Sequence, residues 1–149
     1  MLAVIKVRSS IGASRKVKDT LKLLKLEKIN NCTLVDNSPS FLGMLNVVKD
    51  FVTYGEIDKE TLTELLSKRL RTKDNRVVDE KLLKEITGYE NFEKFAEALL
   101  KKEAKLKEFK KVFSLKPPKG GYKSIKEAYP KGDLGYRGVE INKLIKRML

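Results

Sequence analysis

The 149-residue sequence predicts an α+β protein. Its first 57 residues read as a strand–helix–strand–helix–strand core, and residues 58–149 as an extension of helices, one long loop and a last helix. Three observations carry this. Residues 2–7 form an apolar run broken only by Lys6, with Val4, Ile5 and Val7 β-branched, the composition of a largely buried strand. Short apolar runs and segments of helical spacing then alternate, separated by turn residues. From Leu115 onward the chain turns basic and rich in Pro and Gly before helical spacing resumes near its end.

Along the first strand Ala3, Ile5 and Val7 share one face, and Leu2, Val4, Lys6 and Arg8 the other. The all-apolar face is assigned to the two core helices, leaving the half-apolar face to be covered by later chain or by a partner. After the turn Arg8-Ser9-Ser10-Ile11-Gly12, Ser14 suits the N-cap of a helix with Val17, Leu21 and Leu24 on its apolar side. Lys16, Lys18, Lys22 and Lys25 lie largely away from that side. Asn30-Asn31 gives a turn into a second strand, Cys32-Thr33-Leu34-Val35, which Asp36-Asn37-Ser38-Pro39 stops. A second helix from Ser40 carries Leu42, Leu45 and Val48, and Val52-Thr53-Tyr54-Gly55 forms a third strand.

In the extension Asp58 caps a helix bearing Leu62, Leu65, Leu66 and Leu70. Asp79 opens a short helix closed by Gly88, and Asn91 a longer one through Phe92, Phe95, Ala96, Leu99 and Leu100. Residues 101–111 mix both signs, with pairs such as Glu103/Lys107 at helical spacing, and read as that helix's solvated end. Residues 116–138 are a long loop, fixed at its far side by a helix with Ile141, Leu144, Ile145 and Met148 on one face.

The formal net charge is +13, from 33 Lys+Arg against 20 Asp+Glu. A balance of that size favours polyanionic partners, nucleic acid first among them. Residues 115–149 carry nine cations and three carboxylates, so the tail is the most basic part of the chain. With no His the commonest general base is missing, and there is no Cys cluster, no phosphate-loop motif and no acidic calcium loop. The expectation is a protein that is not an enzyme, with no cofactor, no bound metal, no small-molecule substrate and no membrane partner. A phosphate-transfer site pairing Arg8 with Asn37 finds no spacing that selects it. One Cys, Cys32, permits no internal disulfide and suits a reducing, cytoplasmic setting; it reads as a small packing residue.

Phosphate binding asks only for cations, hydroxyls and closely approaching backbone. The first candidate region is the turn after the first strand with the start of its helix: Arg8, Ser9, Ser10, Gly12, Arg15, Lys16 and Lys18. An ordinary strand-to-helix turn is the alternative reading. The second is the cationic run 68–73, with Arg69 and Arg71, against which stands a solvated helix end. The third is Lys116, Pro118, Lys119, Gly120, Gly121 and Tyr122 with Arg137. Tyr122 reads either as a stacking platform for an unpaired base or as a brace for the loop.

Together these residues resemble the large-subunit ribosomal protein family L-thirty in its archaeal form, whose eukaryotic relatives are the L-seven type. The core carries the likeness in Val4-Ile5-Lys6-Val7-Arg8, Asp19-Thr20-Leu21-Lys22-Leu23-Leu24, Asn30-Asn31-Cys32-Thr33-Leu34-Val35, Gly43-Met44-Leu45 and Phe51-Val52-Thr53-Tyr54-Gly55. The tail carries it in Pro117-Pro118-Lys119-Gly120-Gly121, Lys131-Gly132-Asp133-Leu134-Gly135-Tyr136-Arg137 and Ile141-Asn142-Lys143-Leu144-Ile145-Lys146-Arg147-Met148. The resemblance implies a ferredoxin-like core, with a three-stranded antiparallel sheet centred on the first strand and two helices on one face. It also implies a non-catalytic constituent of the large ribosomal subunit, partnered by ribosomal RNA and neighbouring large-subunit proteins. Leu42 stands where the family usually has Arg before the Gly-Met of the second helix, and Asn31 where many relatives have His. Bacterial members stop near the equivalent of Ile57, and the long basic leader of eukaryotic members is missing, which points to an archaeal source. A free RNA-binding regulator acting off the ribosome is the alternative.

Overall fold

The strand that opens the chain is the middle of the sheet. In the computed structural model, which describes residues 1–149, β1 (Leu2–Lys6) pairs antiparallel with β2 (Asn31–Val35) on one side and β3 (Val52–Glu56) on the other. Between them run α1 (Arg15–Leu23) and α2 (Pro39–Val48). The extension supplies α3 (Lys59–Arg69), α4 (Glu80–Thr87), α5 (Phe92–Leu100) and α6 (Ile141–Met148), the last entered through a 3-10 turn at Gly138–Glu140.

The sheet has five strands rather than the three the resemblance implies. β4 (Val112–Ser114) adds antiparallel to β2, and β5 (Gly135–Tyr136) adds parallel to β3, giving the order β4-β2-β1-β3-β5. The added strands are three and two residues long, too short for an alternating pattern to show in sequence. The sheet is therefore mixed, and both outer strands come from the extension.

Local capping chemistry sets the helix starts. The side chains of Ser14, Ser38, Asp58, Asp79 and Asn91 each accept a backbone N–H from the first turn that follows. The second helix begins at Pro39 rather than Ser40, since proline's missing N–H costs nothing in the first turn. Its inward side is Phe41, Met44, Leu45 and Val48, with Leu42 exposed.

The chain from 101 to 111 departs from expectation. The helix stops at Leu100: Lys102 takes a left-handed conformation (φ 62°), and Glu103 N–H donates to Ala98 O at 2.9 Å. No ion pair joins Glu103 to Lys107. Phe109 explains the break. Its ring lies 5.8 Å from that of Phe95, whereas fourteen residues of continuous helix would carry it ~21 Å along the axis. Burying both rings requires the chain to double back.

The face assignment of β1 is inverted. Leu2 and Val4 meet α1 and α2 in a core with Leu21, Leu24, Leu45, Val48 and Val52. Ala3 and Ile5 belong to the larger core, with Leu62, Leu66, Phe95, Phe113, Leu144 and Ile145. The fully apolar face went to the larger apolar cover, which the extension provides. Lys6, on the α1–α2 side, lies only 2% exposed. Its stem is buried while its ammonium donates to Glu27 O (2.8 Å) and Ser10 Oγ (3.2 Å). Burial lowers its pKa, with Glu27 opposing.

Gly55 in β3 sits where backbone meets backbone: a Cβ there would stand 1.9 Å from Gly138 O. Gly55→Ala is expected to destabilise the fold by about 2 kcal/mol or more, through overpacking against main chain. At Gly43, mid-α2, a Cβ meets nothing within 4 Å, and Gly43→Ala is expected to stabilise by about 0.5–1 kcal/mol. Urea denaturation of the two variants measures both shifts.

Candidate nucleic-acid interface

The turn after β1 is held from inside by its own polar groups. Val7 N–H donates to Phe51 O at 2.9 Å, Ala13 N–H to Ser10 O at 3.0 Å and Ile11 N–H to Ser9 Oγ at 3.2 Å. The Ser9 hydroxyl and the Ser10 carbonyl thus both serve the turn, and the Ser10 hydroxyl receives the Lys6 ammonium. Gly12 closes it with φ 82°. Arg8 lies over the Phe51 ring, 5.2 Å from its centroid, which fixes the guanidinium plane while leaving the side chain half-exposed. Arg15, Lys16 and Lys18 project from the first turn of α1 into solvent. Arg15 reaches Asp19 at only 3.8 Å, both exposed, a pairing of little energetic weight. Ile11, at the tip, is 90% exposed: a large apolar side chain among cations, which charge patterning in the sequence did not single out.

The tail loop begins as a cap on α6. Lys116 N–H donates to Met148 O and Lys119 N–H to Arg147 O, both at 3.0 Å, so the loop satisfies carbonyls that the helix end leaves free. Arg147 returns the contact, its Nε donating to Lys119 O at 3.0 Å and its Nη2 to Gly121 O. Pro118 is buried, while the side chains of Lys116 and Lys119 point outward. Gly120 and Gly121 have φ of 83° and 72°, and Gly121 N–H donates to Pro118 O at 2.9 Å. The left-handed turn accounts for both glycines, and a Cβ on either would meet nothing within 4 Å.

Tyr122 braces the loop. Its hydroxyl donates to Asn30 Oδ1 at 2.7 Å and its ring packs against the larger core. Burial and the nearby Asp133 push its pKa up to about 12. Arg137 also points inward, with Nε donating to Thr53 Oγ1 (2.8 Å) and Nη2 to Asp133 Oδ1 (2.8 Å) and Asp133 O (3.0 Å). The guanidinium also lies 5.2 Å from the Tyr129 ring centroid. Asp133, buried with it, accepts Lys123 and Ser124 N–H. Arg137 therefore does not join the loop's outward cations as its basic neighbourhood predicts; its partner Asp133, four residues away, is the signal in the sequence that sets it apart.

Arg69 and Arg71 are half-buried at the end of α3 and in the hairpin that follows. Arg69 Nε is buried without a partner, while Arg71 pairs with Val77 in an isolated bridge and its O accepts Lys110 N–H at 3.0 Å. Lys68 and Lys73 beside them are exposed. Cys32 is buried, its thiol pushed up to about 12 by burial, so it stays protonated and packs. No group of three His, Cys, Asp or Glu side chains is placed to hold a metal ion, and no helix is long and apolar enough to cross a membrane.

Two measurements separate bracing from display. Arg137→Met leaves Asp133 buried without its counter-ion and is expected to cost about 3 kcal/mol in denaturant unfolding at neutral pH. Tyr122→Phe removes one buried hydrogen bond, expected at about 1 kcal/mol. Because the folded pKa of Tyr122 is raised, its contribution is complete below the unfolded value near 10 and is lost as pH rises towards 12. The stability gap between wild type and Tyr122→Phe should therefore close across that alkaline window, as followed by urea midpoints at stepped pH.

Comparison with known proteins adds an independent line. The family model described as ribosomal protein L30p/L7e matches residues 2–52. The large ribosomal subunit protein uL30 of Archaeoglobus fulgidus is 48% identical, with 99% of both chains covered. The proteins of the same description from Methanocorpusculum labreanum and Methanopyrus kandleri are each 42% identical, covering 99% and 96% of this chain and 99% and 100% of their own. The matches to these relatives run through the extension as well as the core, and the chain belongs with them to the ribosomal protein L30p/L7e family.

Proposed function

We propose that this protein is a non-catalytic, structural constituent of the large ribosomal subunit that binds ribosomal RNA and abuts neighbouring large-subunit proteins. The observation that carries the reading is end-to-end similarity to archaeal proteins named as large ribosomal subunit components, in a chain of net charge +13. The surface chemistry supports it. Arg8, Arg15, Lys16 and Lys18 around the first turn, and Lys116 and Lys119 on the tail loop, are cations placed to meet phosphate. The exposed Ile11 suits an apolar contact with a ribose or an unstacked base at the loop tip. Arg137, Pro118 and Tyr122 serve by shaping the tail loop from beneath, and Ser9, Ser10 and Gly12 by shaping the first turn. Gly120 and Gly121 hold the turn and leave the backbone open to close approach. Arg69 and Arg71 are assigned to positioning the run 68–73, whose outward cations are Lys68 and Lys73.

We divide the chain at residue 57 into a ferredoxin-like core and an extension that carries the tail loop at 116–138 and docks its last helix back. The two share the larger hydrophobic core, in which Ala3, Ile5 and Cys32 meet Phe113, Leu144 and Met148.

Lys119→Ala is expected to lower the slope of log affinity against log salt for large-subunit ribosomal RNA by about one, and Arg15→Ala with Lys16→Ala by about two. Unchanged slopes would remove those residues from the interface. Sedimentation in high salt tests the assignment as a whole, since a constituent of the particle travels with large subunits and a free regulator stays in the supernatant.

A further inference from the structure

A further basic surface lies away from the first turn and the tail loop and shares Lys73 with the run 68–73. The turn from α1 to β2, the hairpin after α3 and the chain entering β4 enclose an open groove of about 790 Å³. Lys25, Lys28, Lys73, Lys107, Lys110 and Lys111 line it from these three segments, and Glu27 is its only carboxylate. None of the six lysines takes part in any ion pair of the chain. Converging six unpaired ammonium groups raises the self-repulsion of the folded state, which a bound polyanion would relieve.

The walls are built rather than loose. Lys110 N–H donates to Arg71 O (3.0 Å), its ammonium donates to Asn75 Oδ1 (3.0 Å), and Thr72 bridges to Phe109. On the other wall Asn31 pairs with Ser114 across β2 and β4. Lys25 is held left-handed (φ 62°) at the end of α1, with its N–H on Lys22 O and that of Leu26 on Leu21 O. Lys25 also ends a stripe. Arg15, Lys18 and Lys22 follow at intervals of three and four residues, so one exposed side of α1, interrupted by Asp19, carries cations for ~10 Å towards Lys25 and the groove.

We infer that this lysine groove is a further RNA-binding site, in which the phosphates of a ribosomal RNA strand continue from the first turn along the α1 stripe. The inference rests on the proposed RNA-binding function and, Lys73 apart, extends it to residues that function does not require. RNA suits the lining better than an acidic protein segment does. Only Phe109 and Val112 among the lining residues are apolar, and Phe109 is buried, so a peptide would find little to bury, whereas phosphates need only cations and donors.

The test uses the full-length protein and deproteinised large-subunit ribosomal RNA, with affinity measured across a salt series. Lys28→Ala, Lys107→Ala and Lys111→Ala combined should lower the log–log slope by about two to three. Lys25→Gly should lower it by a little under one while raising the thermal midpoint, because glycine adopts the left-handed conformation without strain. Opposite movement of stability and binding in one variant rules out misfolding as the cause. A wild-type slope in the triple variant, alongside a reduced slope for Arg15→Ala/Lys16→Ala, overturns the groove and leaves the proposed function standing. A wild-type protein with no affinity for the RNA overturns both. Poly-glutamate bound by the wild type and lost by the triple variant, with the RNA slope unchanged, assigns the groove to an acidic protein segment and overturns the inference.

Discussion

Everything in this fold answers to the burial of one strand on both of its faces. All five residues of β1 are buried, Lys6 included, so each side of the sheet needs its own apolar cover. The α1–α2 pair covers Leu2 and Val4; α3, α5 and α6 cover Ala3 and Ile5. The family model ends at residue 52, at the start of β3, and thus spans one of the two layers. In this chain the second layer is no appendage. Without it Ala3, Ile5 and Cys32 would face water, a loss that a unit of fewer than 60 residues has little reserve to absorb.

The extension is bound to the core by polar groups as well as by burial. Asn142, at the start of α6, receives Asp58 N–H on its Oδ1 at 3.0 Å and donates from Nδ2 to Glu56 O (3.1 Å) and Val139 O (2.9 Å). One buried amide thereby joins the end of β3, the cap of α3 and the entry to α6, with three of its bonding positions filled. Arg137 does the same for β5, binding Thr53 in β3 and Asp133 in the loop. Between them they fix how the tail approaches the sheet edge, and the loop's outward cations inherit that placement.

Much of this was legible in the residues. Four of the five N-caps, Ser14, Asp58, Asp79 and Asn91, announce themselves by type and position, because an oxygen-bearing side chain ahead of a helical apolar pattern has a specific job. Ser38 reads first as part of the stop after the second strand. The inward face of α6 follows directly from the spacing of Ile141, Leu144, Ile145 and Met148. What failed did so for reasons of distance. Which face of β1 meets which layer depends on the apolar area sixty residues away, and the return of the chain after Leu100 depends on Phe109 finding Phe95. Charge pattern at 101–111 fits a helix and a turn equally well. Among site residues, cations could be found by composition, but their direction could not: Arg137 and Lys119 look alike in a basic tail, and only the buried Asp133 separates them. Of the lysine groove only Lys73 showed, within the run 68–73, because its six members come from three segments far apart in sequence.

Asn30 gives these placements a mechanical consequence. Its N–H donates to Lys6 O (2.8 Å), its carbonyl accepts Leu115 N–H (3.2 Å) and its side chain accepts the Tyr122 hydroxyl (2.7 Å). Lys6 in turn holds Ser10 in the first turn. A continuous run of short bonds therefore spans from one candidate loop to the other through a single asparagine and a single lysine. The two loops are thus tied to each other through the sheet by bonds that form on folding. Ordering a flexible backbone costs about 1–2 kcal/mol per residue, and here much of that cost falls on folding rather than on association. Under the proposed function, an RNA that contacted both loops would meet a spacing already set by the fold.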